Sequence, residues 1–107
     1  MRTHRIAPLA KVEVDDLTVR VRWGPLFRAD IPRTAVASVR TVTPPRWAGI
    51  GVHMVRGGWI VNARFGDAAE LRFHEPVPAR TLGIGIRPKR LLLGVEDPDA
   101  LVADLGG

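Results

Sequence analysis

Cysteine and tyrosine are absent from these 107 residues, and serine occurs once, at Ser38. The absence of cysteine excludes disulfides and thiolate metal ligands, and fits a reducing cytoplasm. Acyl-transfer chemistry is left almost without a nucleophile, since Ser38 falls in a predicted strand with no elbow motif around it. The three histidines, His4, His53 and His74, do not have the spacing of metal ligands. His74 and Glu75 are neighbours in an extended segment, so their side chains point to opposite faces and cannot share acid-base work. Gly49-Ile50-Gly51 and Gly83-Ile84-Gly85 each begin a dinucleotide-binding pattern that neither completes, and both read as turns or bulges. No segment approaches the ~18 apolar residues of a membrane span, and Met1 to Pro8, carrying Arg2 and Arg5, has no signal-like apolar run. The expectation is a non-catalytic cytoplasmic protein with no cofactor, no metal and no small-molecule substrate.

A chain of 107 residues makes one domain, able to bury roughly 60 to 70% of its unfolded surface. Residues 1–8 are expected to form a flexible N-terminal arm to this single domain, 1–107.

What is present is alternation. Val12 and Val14, then Leu17, Val19 and Val21, alternate with polar neighbours, and the parity switches across Asp15-Asp16. A two-residue turn there pairs Val14 with Leu17, Val12 with Val19 and Ala10 with Val21, leaving Glu13 opposite Thr18 and Lys11 opposite Arg20. A second hairpin keeps its parity through the odd-numbered loop Gly24-Pro25-Leu26. It sets Trp23 against Phe27, Val21 against Ala29 and Val19 against Ile31 inside, with Arg20 facing Asp30 and Arg22 facing Arg28 outside. Arg20 and Asp30 then form a surface pair contributing ~0.2 to 1 kcal/mol.

Further along, Pro32-Arg33-Thr34 reads as a corner and Val36 to Thr43 as a β-branched strand ended by Pro44-Pro45. Arg46 to Gly58 is loop-like, with a brief strand through Val52 to Val55. Trp59 to Arg64 and Ala69 to Phe73 read as a third hairpin around the turn Phe65 to Ala68. Thr81 to Ile86 is weakened as a strand by Gly83 and Gly85, and Arg87 to Val95 is strong. The C-terminus is helical: Asp97 caps, Pro98 takes the first helical position, Leu101, Val102 and Leu105 form one apolar stripe, and Gly106 and Gly107 stop it.

The fold class expected is therefore mainly β, about seven antiparallel strands in meander order with a short C-terminal α-helix over one end. The run from Val12 through Val14-Asp15-Asp16-Leu17 to Trp23-Gly24-Pro25, then Ile31-Pro32, Val36 and Val39, and finally Glu96-Asp97-Pro98-Asp99-Ala100-Leu101, resembles the bacterial pleckstrin-homology-like (PH-like) domain proteins. The resemblance covers roughly Leu9 to Leu105 and implies a PH-like barrel. The helix, about two turns at 3.6 residues per turn, is short for that family. The broader family includes phosphoinositide binders with a basic pattern that Lys11, Arg20 and Arg22 match in spacing. Here, however, the turn between them carries two carboxylates, Asp15 and Asp16, which repel phosphate. These three cations read as residues of a solvated strand face.

The net charge of +5 is concentrated in one stretch. Between Ile31 and Gly66 there is no acidic residue, and Arg33, Arg40, Arg46, Arg56 and Arg64 supply five positive charges; elsewhere eleven cations meet eleven anions. Fourteen arginines against two lysines also fit codon bias in a GC-rich genome. Trp59 has an alternating strand position and reads as core. Arg46, Trp47, His53, Met54 and Arg56 form the candidate interaction surface, since exposed aromatics among arginines suit protein or headgroup contacts. The partner expected is a protein or a second copy of the chain, with anionic lipid as the alternative. A nucleic-acid partner is disfavoured because the only helix carries acidic charges and no aromatic-basic ribonucleoprotein motif is present.

Overall fold

The computed structural model describes residues 1–106. Gly107, half of the expected helix stop, lies outside the described residues. Within them the chain forms β1 (Arg2–Ala7), β2 (Ala10–Val14), β3 (Thr18–Trp23), β4 (Phe27–Pro32), β5 (Val36–Val42), β6 (Gly51–Val55), β7 (Gly58–Asn62), β8 (Ala68–Phe73), β9 (Ala79–Thr81), β10 (Ile84–Ile86), β11 (Arg90–Gly94) and one helix, α1 (Pro98–Asp104). Short 3-10 turns occupy Arg33–Ala35 and Arg46–Ala48. The strands make two sheets, ordered β1-β2-β3-β4-β9-β10 and β5-β8-β11-β7-β6. The mainly β class with one short helix stands. The meander of about seven strands does not: there are eleven among the described residues, divided between two sheets, and no barrel closes.

The first hairpin corrects the expected register by two residues. Val14 faces Val19, Val12 faces Val21, Glu13 faces Arg20 and Lys11 faces Arg22. Four residues, Asp15 to Thr18, separate the last pair, Val14↔Val19, because Asp15 folds back on the turn, and Thr18 belongs to β3 through its pairing with Pro32 of β4. Asp15 accepts through its carboxylate from the Leu17 N–H at 2.9 Å, the Thr18 N–H at 2.8 Å and the Thr18 hydroxyl at 3.0 Å. Its own N–H donates to the Thr18 carbonyl at 3.0 Å. These donors, the Leu17 N–H foremost, hold the Asp15 pKa below its ordinary value. A shift of two preserves parity, so the four valines keep the core face and only Leu17 is displaced into solvent.

The second hairpin has the expected pairing from Val19↔Ile31 to Trp23↔Phe27. Gly24, at φ +48°, supplies the left-handed turn conformation. The ion pairs on its outer face differ from expectation, since Asp30 binds Arg22 diagonally and Arg20 reaches back to Asp15 at 3.2 Å. Of residues 1–8, expected as an arm, Arg2–Ala7 form instead β1, the edge of this sheet, with Ile6 buried in the core. Thr81 to Ile86, expected as a weak strand, is instead the end of the first strand, the turn and the second strand of a small hairpin, in which β9 pairs with β10 around Leu82-Gly83, both at positive φ, and β9 docks on β4.

The second sheet overturns the expected third hairpin. β7 and β8 do not pair, because β11 lies between them, antiparallel to β8 and parallel to β7. Leu91, Leu92 and Leu93 are buried consecutively, and β7 and β8 likewise carry buried residues on both faces. Strands apolar on both faces belong at the centre of a covered sheet. Val12, Val14, Val19, Val21, Phe27 and Ile31 of the first sheet pack against Val61, Leu71, Phe73, Leu91 and Leu93 of the second in one core. Trp59 packs half-buried against the same core, as expected. A second, smaller cluster of Ala48, Ile60, Ala68 and Leu92 sits on the other face of the second sheet, under the 3-10 turn at Arg46–Ala48. The radius of gyration, 12.1 Å, is close to the ~13 Å of a compact domain of this length.

Helix α1 begins as expected, with the Asp97 side chain accepting from the Ala100 N–H at 3.1 Å and Pro98 in its first turn. Leu101 is fully buried in the main core. Asp104, at the last turn, clasps β1: its carboxylate binds Arg2 at 3.0 Å and His4, and the His4 and Asp104 side chains are both 10% exposed. Its carbonyl accepts from Arg33 Nη2 at 2.9 Å. Asp104→Ala should therefore cost about 1 to 2 kcal/mol through the loss of charge-assisted bonds in a mostly buried setting. Urea unfolding measures this; an unchanged midpoint would show that β1 and α1 hold without the clasp.

Candidate functional site

The 3-10 turn at Arg46–Ala48 is built from two prolines before it and Gly49, at φ +82°, after it. It is anchored from below by Ala48 and from the side by Asn62, which donates to the Gly49 carbonyl at 3.2 Å and accepts from the Gly51 N–H at 3.0 Å. Buried Asn62 thus sets the path of Gly49 to Gly51, within the stretch that the sequence predicts to be loop-like. Trp47 projects from it 79% exposed. Arg46 lies over the Phe65 ring, its guanidinium carbon 4.8 Å from the ring centroid.

The five candidate residues are not brought to one face. In β6 His53 stands opposite Ile60 and Met54 opposite Trp59, so their side chains leave the strand on opposite sides. His53 turns toward Gly49, where it binds the Ile50 carbonyl and fills the space a Cβ would take 3.1 Å from its Nε2. Met54 is 73% exposed. Arg56 occupies the turn between β6 and β7, at the other end of the strand from the Arg46–Ala48 turn. Arg46, Trp47 and His53 therefore cluster at the start of β6, Met54 takes its other face, and Arg56 belongs to a different neighbourhood. One further property is shared: β6 is an edge strand, paired only with β7 among the described strands, and Gly51–Val55 carries no Lys, Arg, Asp or Glu.

The acid-free stretch does not remain a free basic patch either. Arg33 is spent on backbone, donating to the carbonyls of Asp15 at 3.0 Å and Asp104 at 2.9 Å. Arg40 binds Glu70, while Arg56 and Arg64 join no ion pair among the described residues.

Sequence reasoning missed Glu70. Its side chain is 1% exposed on the face of the second sheet away from the main core, and three arginines converge on it through Nε: Arg40 at 2.8 Å, Arg90 at 2.8 Å and Arg72 at 3.1 Å. Burial pushes its pKa up, but the hydrogen bonds from Arg40, Arg90 and Arg72 outweigh that, and the net shift is downward. Arg90 Nη1 also donates to the Arg56 carbonyl at 2.7 Å, tying the β6–β7 turn to the cluster. The cluster becomes visible only once β5, β8 and β11 are known to be neighbours, since Arg40, Glu70 and Arg90 belong to three separate stretches of sequence. Beside it opens a cleft of about 500 Å³ lined by Ala37, Ser38, Arg56, Arg72, Lys89 and Arg90, with Phe73 and Gly57 completing its walls.

A second exposed apolar group occupies the β9–β10 hairpin, where Leu82 at φ +50° and Ile84 are 66% and 65% exposed. Among the described residues no group of three or more acidic or histidine side chains could hold a metal ion, and no helix is long and apolar enough to cross a membrane.

Fold and site together define a mainly β, two-sheet protein with an uncharged edge strand and a buried carboxylate ringed by arginines. No family model, no curated protein and no solved structure matches the chain.

Proposed function

We propose that this protein is a cytoplasmic, non-catalytic interaction domain, an open variant of the PH-like architecture, that takes up an extended segment of a protein partner or of a second copy along β6. The observation that carries this reading is the free, uncharged edge of β6, with Met54 on the strand and Trp47 in the turn before it, both more than 70% exposed. A strand edge offers unpaired N–H and C=O groups, and edges not meant to pair are usually blunted by charge, proline or a covering element. β6 has none of the charges. Large aromatic and thioether side chains beside such an edge supply the apolar area that backbone pairing by itself does not.

The test pairs sedimentation velocity over a wide concentration range with affinity capture from lysate, using the wild type beside a Trp47→Ser, Met54→Lys variant of equal thermal stability. Concentration-dependent dimerisation, or a captured protein, that the variant loses is the expected result. A variant that behaves as the wild type in both measurements would remove β6 as the interface. Peripheral binding to anionic lipid is the second reading, favoured by exposed Trp47 next to Arg46 stacked on Phe65. It requires flotation with anionic vesicles that fades as salt rises, whereas a packed protein interface survives salt.

A further inference from the structure

We infer that the cleft between β5 and the β6–β7 turn is a binding site for a phosphate monoester group, with Arg56, Arg72, Lys89 and Arg90 as its donors. Arg40, Arg72 and Arg90 converge on a single carboxylate, Glu70, and Arg56 and Lys89 line the adjoining cleft with Arg72 and Arg90, so that five cations share one acid and four positive charges are in excess. Assembling like charges is unfavourable unless something neutralises them, and Glu70 does so for one alone. Its two oxygens are both engaged and buried beneath the guanidinium groups, so they present no repulsive edge to an incoming anion.

The geometry of donation is equally directed. Arg72 and Arg90 meet Glu70 through Nε, which fixes each guanidinium plane while leaving Nη groups for another acceptor. Both Nη groups of Arg72, Nη2 of Arg90, Nζ of Lys89 and the Arg56 guanidinium have no hydrogen-bond partner among the described residues. The Ser38 hydroxyl, on the residue paired with Arg72 across β5 and β8, likewise has no hydrogen-bond partner among the described residues. Ala37 is the extra residue of a β-bulge in β5, between the pairs Val36↔Phe73 and Ser38↔Arg72. A bulge bends the strand and re-aims its side chains, here at the wall of the cleft. A concave site lined by four cationic side chains with unengaged donors suits a compact, multiply charged oxyanion such as a phosphate monoester. No large apolar side chain stands exposed in its lining, because Phe73 is buried, and this favours a soluble ligand over one embedded in a bilayer.

Titration of the ¹⁵N-labelled chain with inorganic phosphate and with phenyl phosphate, at constant ionic strength held by chloride, tests the site. The expected result is saturable shifts confined to the amides of Ser38, Gly57, Lys89 and Arg90. Lys89→Gln and Arg72→Gln should each weaken binding about tenfold, as expected for losing one charge-assisted hydrogen bond. Lys11→Gln, the same charge change on the first sheet, should leave it unaltered. Vesicles containing phosphatidate form the second arm: binding that inorganic phosphate competes away and Lys89→Gln weakens would identify a headgroup as the source of the phosphate. Shifts spread over all basic residues, equal effects of Lys11→Gln and Lys89→Gln, or vesicle binding with no response to phosphate would each overturn the inference.

Discussion

The Gly58→Ala variant should lose about 3 kcal/mol of stability or more, the largest effect expected of a single methyl group in this protein. Gly58 opens β7 and pairs in parallel with Arg90 of β11. A Cβ built on it falls on the Arg90 carbonyl, a backbone atom that cannot rotate away. Its φ is not in the left-handed region, so the requirement is for space and not for conformation. Accommodating the methyl means separating β7 from β11, the pair that joins the two halves of the second sheet. Hydrogen exchange should lose protection first in β7 and β11. Gly85→Ala is the control: it also sits in a strand, but its Cβ meets nothing within 4 Å, and its change should stay within about 0.5 kcal/mol. Equal urea midpoints for Gly58→Ala and Gly85→Ala would show that the parallel pairing tolerates the added carbon.

The second large effect is expected at Glu70. Glu70→Gln keeps the volume but removes the charge on which three guanidinium groups converge, and it turns an amide NH₂ toward cationic donors. Removing one partner of a buried ion pair costs 3 to 5 kcal/mol when the other charge is left buried. Here Arg40 and Arg72 are more than half exposed and only Arg90 is mostly covered. Water therefore compensates much of the loss, and about 2 to 3 kcal/mol is expected.

The pH dependence follows from the direction of the Glu70 shift. Its pKa is lowered on folding, so the folded state binds fewer protons than the unfolded one near that value. The stabilisation is fully present above the ordinary glutamate value of 4.5 and is lost as pH falls through the lower folded-state value. The gap in unfolding free energy between wild type and Glu70→Gln should accordingly be constant near neutrality and narrow on acidification below pH ~4.5. Urea titrations at stepped pH measure it. A gap that stays constant through that acid range would show that the Glu70 charge contributes nothing to stability.

The elements most legible in the sequence were those determined by neighbours in the chain. The β3–β4 register followed from three odd-numbered apolar positions on each side of an odd loop, and Asp97-Pro98 marked the helix start through local capping chemistry. The β2–β3 register slipped by two because alternation determines which face a residue takes but not how many residues the turn consumes. That number was decided by the Asp15 carboxylate, which captured the Leu17 and Thr18 amides. Leu17 paired well on paper and stands in water.

The site was less legible than the fold. Trp47 and Met54 are as exposed as an interaction surface needs, yet strand alternation at His53 and Met54 divides the proposed group between two faces of β6. Of the basic stretch, Arg33 and Arg40 are consumed by internal partners that lie far away in sequence.

Alternation, capping residues and punctuation by proline and glycine therefore determined the class of this protein, the position of most strands and the helix, because those signals act over a few residues. Tertiary structure decided what no local signal carries. It inserted β11 between β7 and β8, because a strand apolar on both faces must be covered on both. That insertion brought Arg90 beside Glu70 and Arg40, three charges from distant stretches whose meeting depends on strand order alone.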